Sequence, residues 1–125
     1  MSHPKDKNFS QLKSFAAAFT GIKTVFANER NFRTHLCIAI LAVIACFFFK
    51  VTTTEWLIVL LFIAIILCME AINTSIEYVC DYVSPEYQPL IKKVKDVAAG
   101  AVMLGAIISV IAGCIIFIPY LLELI

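Results

Sequence analysis

The chain has 125 residues, 62% of them hydrophobic and 15% charged, with a mean hydropathy of +0.94. A soluble domain is roughly half apolar and about a quarter charged. The composition therefore excludes disorder and a water-soluble fold, and it points to an integral membrane protein. Ten Lys/Arg against nine Asp/Glu leave a net charge of +1, which offers nothing for nucleic acid to bind.

Residues 1–8 read as a disordered polar tip. From Phe9 the residues Leu12, Phe15, Phe19, Ile22 and Phe26 recur at steps of three and four, with Lys13 and Lys23 between them. That spacing predicts an amphipathic helix over 9–28, and its aromatic and basic content suits a membrane surface. Three charge-free runs follow, of 14 residues from Leu36, 14 from Trp56 and 26 from Val97. A spanning helix needs about 20 mostly apolar residues. The predicted spans are therefore about 32–49, 56–82 and 95–118, and the second carries Glu70 into the bilayer. Lys50 to Glu55 reads as a tight loop. Asp81 to Asp96, with Pro85 and Pro89, reads as a longer one, and Pro119 should end or kink the last helix. The whole of 1–125 forms one membrane-embedded unit.

Basic residues set the orientation. Lys5, Lys7, Lys13, Lys23, Arg30 and Arg33 precede the first span, and Lys92, Lys93 and Lys95 lie in the second connection. Positive residues favour the cytoplasmic side, so the N-terminus and second loop are expected inside. Ala101, Gly105, Ser109 and Gly113 put small side chains on one face of the third span, a pattern that allows close helix packing within a bundle or between subunits. The cysteines at 37, 46, 68, 80 and 114 read as small hydrophobes, since no C-x-x-C or zinc spacing occurs.

Chemistry concentrates in Glu70-Ala-Ile-Asn73-Thr74-Ser75-Ile-Glu77-Tyr-Val-Cys-Asp81. At 100° per residue, Glu77 and Asp81 fall within about 20° of Glu70, and Asn73 and Thr74 flank that stripe. A carboxylate at bilayer depth costs about 2.5–3.5 kcal/mol by insertion scales, which makes Glu70 a functional candidate by default. A desolvated carboxyl suits general-base work. Glu70 and Glu77 lie roughly 10.5 Å apart along the axis, too far to share a proton, so they suit separate tasks. Glu77 and Asp81, nearer the interface, could meet Mg²⁺ and phosphate. Glu29, before the first span, and Lys95-Asp96, at the start of the third, are expected at the same membrane face. No Walker-type or kinase glycine-rich loop is present.

At these residues the chain resembles the prokaryotic diacylglycerol kinase family, which includes the undecaprenol kinases. The matching pieces are Asn28-Glu29-x-x-Phe32-Arg33, Glu70-x-x-Asn73-Thr74-x-x-Glu77-x-x-x-Asp81, Ser84-x-Glu86-Tyr87 and Lys95-Asp96-x-x-x-x-Ala101-Val102. The resemblance implies an all-α integral membrane fold: a surface helix, three spans and a homotrimer with composite sites in the bacterial inner membrane. It implies ATP- and Mg²⁺-dependent phosphorylation of a lipid's primary hydroxyl, with Glu70 as catalytic base and Asn73 beside it. Glu29 and Glu77 would hold the metal. Glu29, Glu77, Glu86, Tyr87, Gln88, Lys95 and Asp96 would form the nucleotide site. Asn31, Phe32, Arg33 and Trp56, with Glu70, would meet the lipid. Ser10 and Ala17 stand where enterobacterial members carry an arginine and a tyrosine, and Gln88 where they carry a histidine. Glu29-Arg30-Asn31-Phe32-Arg33-Thr34-His35-Leu36 looks more like the undecaprenol kinase branch, which favours a polyprenol over diacylglycerol. The rival readings are a small proton-coupled exporter using the buried glutamate and a non-enzymatic assembly subunit. Carboxylates extending beyond the membrane to meet a Lys-Asp pair are a feature that an exporter does not need.

Overall fold

The structure is a computed structural model that describes residues 4–125, with side chains from residue 10 onward. Four helices follow one another: α1 (Pro4–Asn28), α2 (Arg30–Phe49), α3 (Thr53–Val83) and α4 (Pro89–Leu124). Among the described residues there is no strand. Part of the tip expected to be disordered, residues 1–3, lies outside the described residues, as does the Phe9 side chain. The backbone of residues 4–8 is helical, so α1 begins earlier than the apolar periodicity indicated. Proline is well suited to a first helical turn, where its fixed φ fits and its missing N–H is not needed.

A single residue separates α1 from α2. Glu29 is extended (φ −108°, ψ 108°), its N–H closes α1 on the Val25 carbonyl at 2.8 Å, and its carbonyl accepts from Arg33 N–H at 3.3 Å. The Arg33 guanidinium reaches back and donates to the carbonyls of Phe26 (2.7 Å) and Ala27 (3.0 Å). Those carbonyls are among the last four of α1 and have no partner within their own helix. Arg33 thus ties the surface helix to the first span.

The loop from α2 to α3 is shorter than predicted, only Lys50 to Thr52. Lys50 is left-handed (φ 52°, ψ 51°), its N–H bonds the Phe47 carbonyl, and Val51 N–H bonds the Cys46 carbonyl. This is the Schellman termination, with lysine where glycine is usual. Thr52 caps α3 by accepting from Glu55 N–H at 3.2 Å, while its hydroxyl donates to the Glu55 carboxylate at 3.0 Å. That cap starts α3 three residues before Trp56. The second connection is also shorter than expected, running from Ser84 to Gln88. Pro89 opens α4, and Lys92, Lys93 and Lys95 are helical rather than part of the loop. Pro119 does not end α4, which continues to Leu124.

α3 is the central helix, packing most extensively on α4 and also on α2. At the end away from Glu70, Cys46, Val51, Val59 and Ile116 are buried beneath Phe49, Trp56, Phe117 and Tyr120. Phe49 stacks on Tyr120 at 5.6 Å, and Phe47 meets Trp56 edge-on at 4.9 Å. At the opposite end Phe32, Glu70, Thr74, Cys80, Ala98 and Val102 are buried. All five cysteines are free, and two of them (Cys46, Cys80) are buried, in keeping with packing as small hydrophobes.

The outer surface is oily. In the most apolar stretch of each span only 17%, 17% and 11% of residues are buried, although each helix is long enough to cross a bilayer. Phe47, Leu61 and Ile115 stand more than half exposed, as do Leu12, Phe15, Phe19 and Ile22 along α1. Such a surface is stable against lipid and not against water. The chain is a membrane protein with three spanning helices and an amphipathic helix before them. The small-residue stripe of α4 is half-buried, but a methyl group at Gly105 or Gly113 would meet nothing within 4 Å. Within the chain the stripe therefore makes no tight helix contact. Ser109 and Gly113 instead line a cavity of about 430 Å³ between α2, α3 and α4.

Candidate active site

The site is built on the C-terminal half of α3. Glu70, 4% exposed, and Thr74, 1% exposed, are its most deeply set polar residues. The Thr74 hydroxyl donates to the Glu70 carbonyl at 3.0 Å, satisfying itself within the helix and leaving the Glu70 carboxylate uncommitted to it. That carboxylate faces α2, where His35 Nε2 lies 3.3 Å from Oε1. One turn further on, Asn73 donates its amide to the half-buried Glu77 carboxylate at 3.3 Å. Its own Oδ1 is buried and lacks a hydrogen-bond partner. A buried amide oxygen is rarely left unpaired, so Asn73 presents an acceptor where a substrate donor could bind.

Glu29, at the break between α1 and α2, joins this group. The charges of Glu29 and Glu77 both act on Glu70, and that of Glu77 also acts on Lys95 of α4. Lys95 Nζ pairs with Asp81 Oδ1 at 2.6 Å, bridging α4 to the end of α3. Three carboxylates of α3 and one from the break before α2, with one lysine from α4, are thus gathered at one end of the bundle. Coulomb energies at these separations are several times larger near a low-dielectric slab than in water, which makes the arrangement responsive to bound phosphate and metal.

Other residues singled out in the sequence stand apart. Asp96 does not act as a pair with Lys95. It bonds Lys92 at 2.6 Å, one turn earlier on α4, with both side chains more than half exposed. Adjacent residues on a helix point about 100° apart, so the Lys-Asp dipeptide splits between two directions. Glu86, Tyr87 and Gln88 lie exposed in the α3–α4 connection, where the Ser84 hydroxyl donates to the Glu86 carbonyl at 3.1 Å. Phe32 is buried, Asn31 is exposed, and the Arg33 guanidinium is engaged by α1. Ser10 and Ala17 are exposed on α1. Trp56 lies 14 residues from Glu70, roughly 21 Å along α3, in the aromatic cluster at the other end.

His35 was missed as a site residue. Its signal in the sequence is faint: a titratable ring at the edge of an apolar span, with nothing to say which helix it meets. The described residues contain no preformed group of three or more His, Cys, Asp or Glu able to hold a metal. Two separated carboxylates nevertheless fit Mg²⁺, which usually takes one or two from the protein and completes its shell with phosphate oxygens and water.

The three-span bundle carries a buried, partnered carboxylate and a charged rim at one end, and its relatives place it among the membrane-embedded lipid kinases. The profile of the prokaryotic diacylglycerol kinase family matches residues 16–117, and the chain belongs to that family. It is 40% identical over 109 residues to the undecaprenol kinase of Bacillus subtilis, covering 87% of this chain and 89% of that one. It is 36% identical to the diacylglycerol kinase of Synechocystis over 90% of this chain, which spans 65% of that longer protein. It is 27% identical to the diacylglycerol kinase of Escherichia coli K12 over 84% of this chain and 86% of that one.

Proposed function

We propose that the protein transfers the γ-phosphoryl group of MgATP to the primary hydroxyl of a membrane lipid alcohol, a polyprenol in preference to diacylglycerol. One observation carries this reading: Glu29, Glu70, Asn73, Glu77 and Lys95 come from separate stretches of the chain and gather at one end of the spans. Family membership favours a kinase over an exporter. The polyprenol preference rests on the stretch Glu29 to Leu36 and on the 40% identity to an undecaprenol kinase.

Phosphoryl transfer is catalysed mainly by positioning and charge neutralisation, and each residue here has such a task. The lipid enters sideways from the bilayer with its hydroxyl at the depth of Glu70. Glu70 accepts the hydroxyl proton as the oxygen attacks phosphorus. The unpaired Oδ1 of Asn73 accepts a hydrogen bond from the bound reactants. Glu29 and Glu77 hold Mg²⁺, which when bound neutralises phosphate charge. Lys95 neutralises more of that charge, with Asp81 fixing its ammonium. Glu86, Tyr87, Gln88 and Asp96 border the nucleotide, and the apolar cavity and α1 border the lipid. The N-terminus and the second connection face the cytoplasm, where ATP is, as the basic residues before α2 and in the first turns of α4 favour. Three spans enclose little volume, so a homotrimer in the inner membrane completes the site.

The test is purified protein in micelles with MgATP and a panel of lipid alcohols, scored by phosphorylated lipid. Glu70→Gln is expected to bind nucleotide normally and to lose about 10²–10⁴-fold in turnover, the usual contribution of a general base. Near-normal turnover by that variant removes Glu70 from the chemistry. Absence of a lipid-dependent product across the panel removes the function.

A further inference from the structure

We propose that the cavity between α2, α3 and α4 seats the isoprene units next to the hydroxyl of a polyprenol, and that Gly113 sets the width available to them. The inference deepens the kinase reading above and rests on it for the position of the hydroxyl.

The cavity begins where that reading places the reaction. His35 lines it and stands 3.3 Å from the Glu70 carboxylate. Its back wall is one face of α3, on which Ile58, Phe62 and Ile66 follow one another at every fourth residue. Glu70 is the next position on that face, one turn past Ile66. From Ile58 to Glu70 the distance is roughly 18 Å along the helix axis. A lipid whose hydroxyl meets Glu70 therefore has its chain directed down this wall.

The flanks are small and apolar. α2 contributes Ala39, Ala42 and Ala45, and α4 contributes Ala106, Ala112 and Gly113. The Ser109 hydroxyl, also on this wall, donates to the Gly105 carbonyl at 2.8 Å and so asks for no polar partner in the cavity. Small residues in a membrane usually draw helices together. Here they leave room, since a methyl group on Gly113 would meet no atom within 4 Å. The volume of about 430 Å³ falls within the usual size of a small-molecule site, roughly 300–1,000 Å³.

The shape favours one branched chain. A polyprenol has a single chain with a methyl branch on every unit, so it needs one channel of more than acyl-chain width. A diacylglycerol has two straight chains, of which this cavity takes one. The far end stops at Val59, Ile116 and Phe117, in the cluster that Trp56 and Tyr120 cover. Leu41 and Val110 line the cavity too, and both are 65% exposed. The remaining isoprene units therefore leave between α2 and α4 into the bilayer.

A polyprenol carrying a diazirine on one of its first isoprene units supplies the test, with the full-length protein in micelles. After irradiation, peptide mass spectrometry should place the label within residues 39–45 and 106–113, and unlabelled polyprenol should compete for it. Gly113→Leu fills the cavity from α4. It should cut this labelling and raise the polyprenol KM, each by about tenfold or more, with the KM for ATP within about twofold. A merely damaged fold would lower kcat instead. Should leucine prevent folding, Gly113→Ala decides, with a smaller shift in the same direction. Label on the outward-facing Leu61, Leu104 or Ile115, or an unchanged polyprenol KM in the variants, overturns the proposal. So does a parent unlabelled in the cavity whose oligomer falls apart on Gly113→Leu, because a neighbouring subunit then fills the space. Label in the cavity without any phosphorylated lipid from MgATP removes the kinase reading and leaves the seat in place. Lipid phosphorylation with the label elsewhere does the reverse.

Discussion

Two lysines on α4 make carboxylate contacts of equal length with opposite consequences. Lys92 holds Asp96 at 2.6 Å on the same helix, with both partners well exposed. An exposed i,i+4 pair of this kind is worth little, because water and salt screen it. Lys95 holds Asp81 at 2.6 Å across two helices and also stands in the field of Glu77. In the proposed reaction a cation placed there would meet the charge that develops during phosphoryl transfer, where fixed charges act most strongly. Lys95→Met is therefore expected to raise the KM for ATP and lower kcat, together by about a hundredfold in kcat/KM. Lys92→Met should stay within about twofold of the parent. Steady-state kinetics with ATP varied at saturating lipid checks both, and equal defects would mean that the Asp81 bridge has no special place. The sequence makes the polar stripe Glu70–Glu77–Asp81 legible because it lies within one helix and follows from a 3.6-residue period. It makes the Lys95 partner illegible. Adjacency suggests Asp96, whereas the real partner depends on how α4 is set against α3, which no local periodicity encodes. His35 escapes for the same reason.

The helices owe their limits to terminal chemistry more than to their apolar runs. Asn28 and Arg30 belong to different helices because Glu29 is extended between them and Arg33 satisfies the carbonyls that the break exposes. Thr52 and Glu55 set the start of α3, and the Glu55 carboxylate also accepts from the Tyr120 hydroxyl at 2.9 Å. One carboxylate thereby joins the α3 cap to the last turns of α4, beside the Phe49–Tyr120 stack. Thr52→Ala should destabilise the fold by about 1 kcal/mol, the usual value of an N-cap. Tyr120→Phe should lower the unfolding midpoint as well. Because both hydroxyls converge on Glu55, the double variant should lose less than the sum of the two, since shared partners couple. Denaturation in micelles, followed by helical circular dichroism, measures this, and strict additivity would show the two bonds to be independent. Kinetic constants should hardly move, since this cluster lies roughly 21 Å along α3 from Glu70. The spans were readable from charge-free runs. Their true ends were not, because Pro89 as a helix start and the Thr52 cap extend α4 and α3 into stretches whose polarity reads as loop.

For the molecule as a whole, the decisive question is what a neighbouring subunit would add. The exposed apolar flanks of α2, α3 and α4 leave room for subunits to pack, and the small residues of α4 touch nothing closely within the chain. Yet the charges of Glu29 and Glu77 already act on Glu70 within one chain. In the proposed trimer a neighbour is therefore expected to close the site, through the lipid-facing flanks or the nucleotide border, rather than to donate these carboxylates. Mixed oligomers test this directly. When Glu70→Gln and Glu77→Gln chains are co-expressed and co-purified through different tags, no mixed assembly contains a site with both residues intact if the two act in cis. Activity should stay at the sum of the separate variants, a few per cent of the parent or less given the about 10²-fold or greater loss at Glu70. If the two carboxylates came from different subunits, some mixed sites would be whole, and a substantial fraction of parental turnover would return. Recovery of that size would mean that the proximity within one chain is not the proximity that catalysis uses, and the assignment of roles along α3 would then have to be redistributed across the subunit boundary.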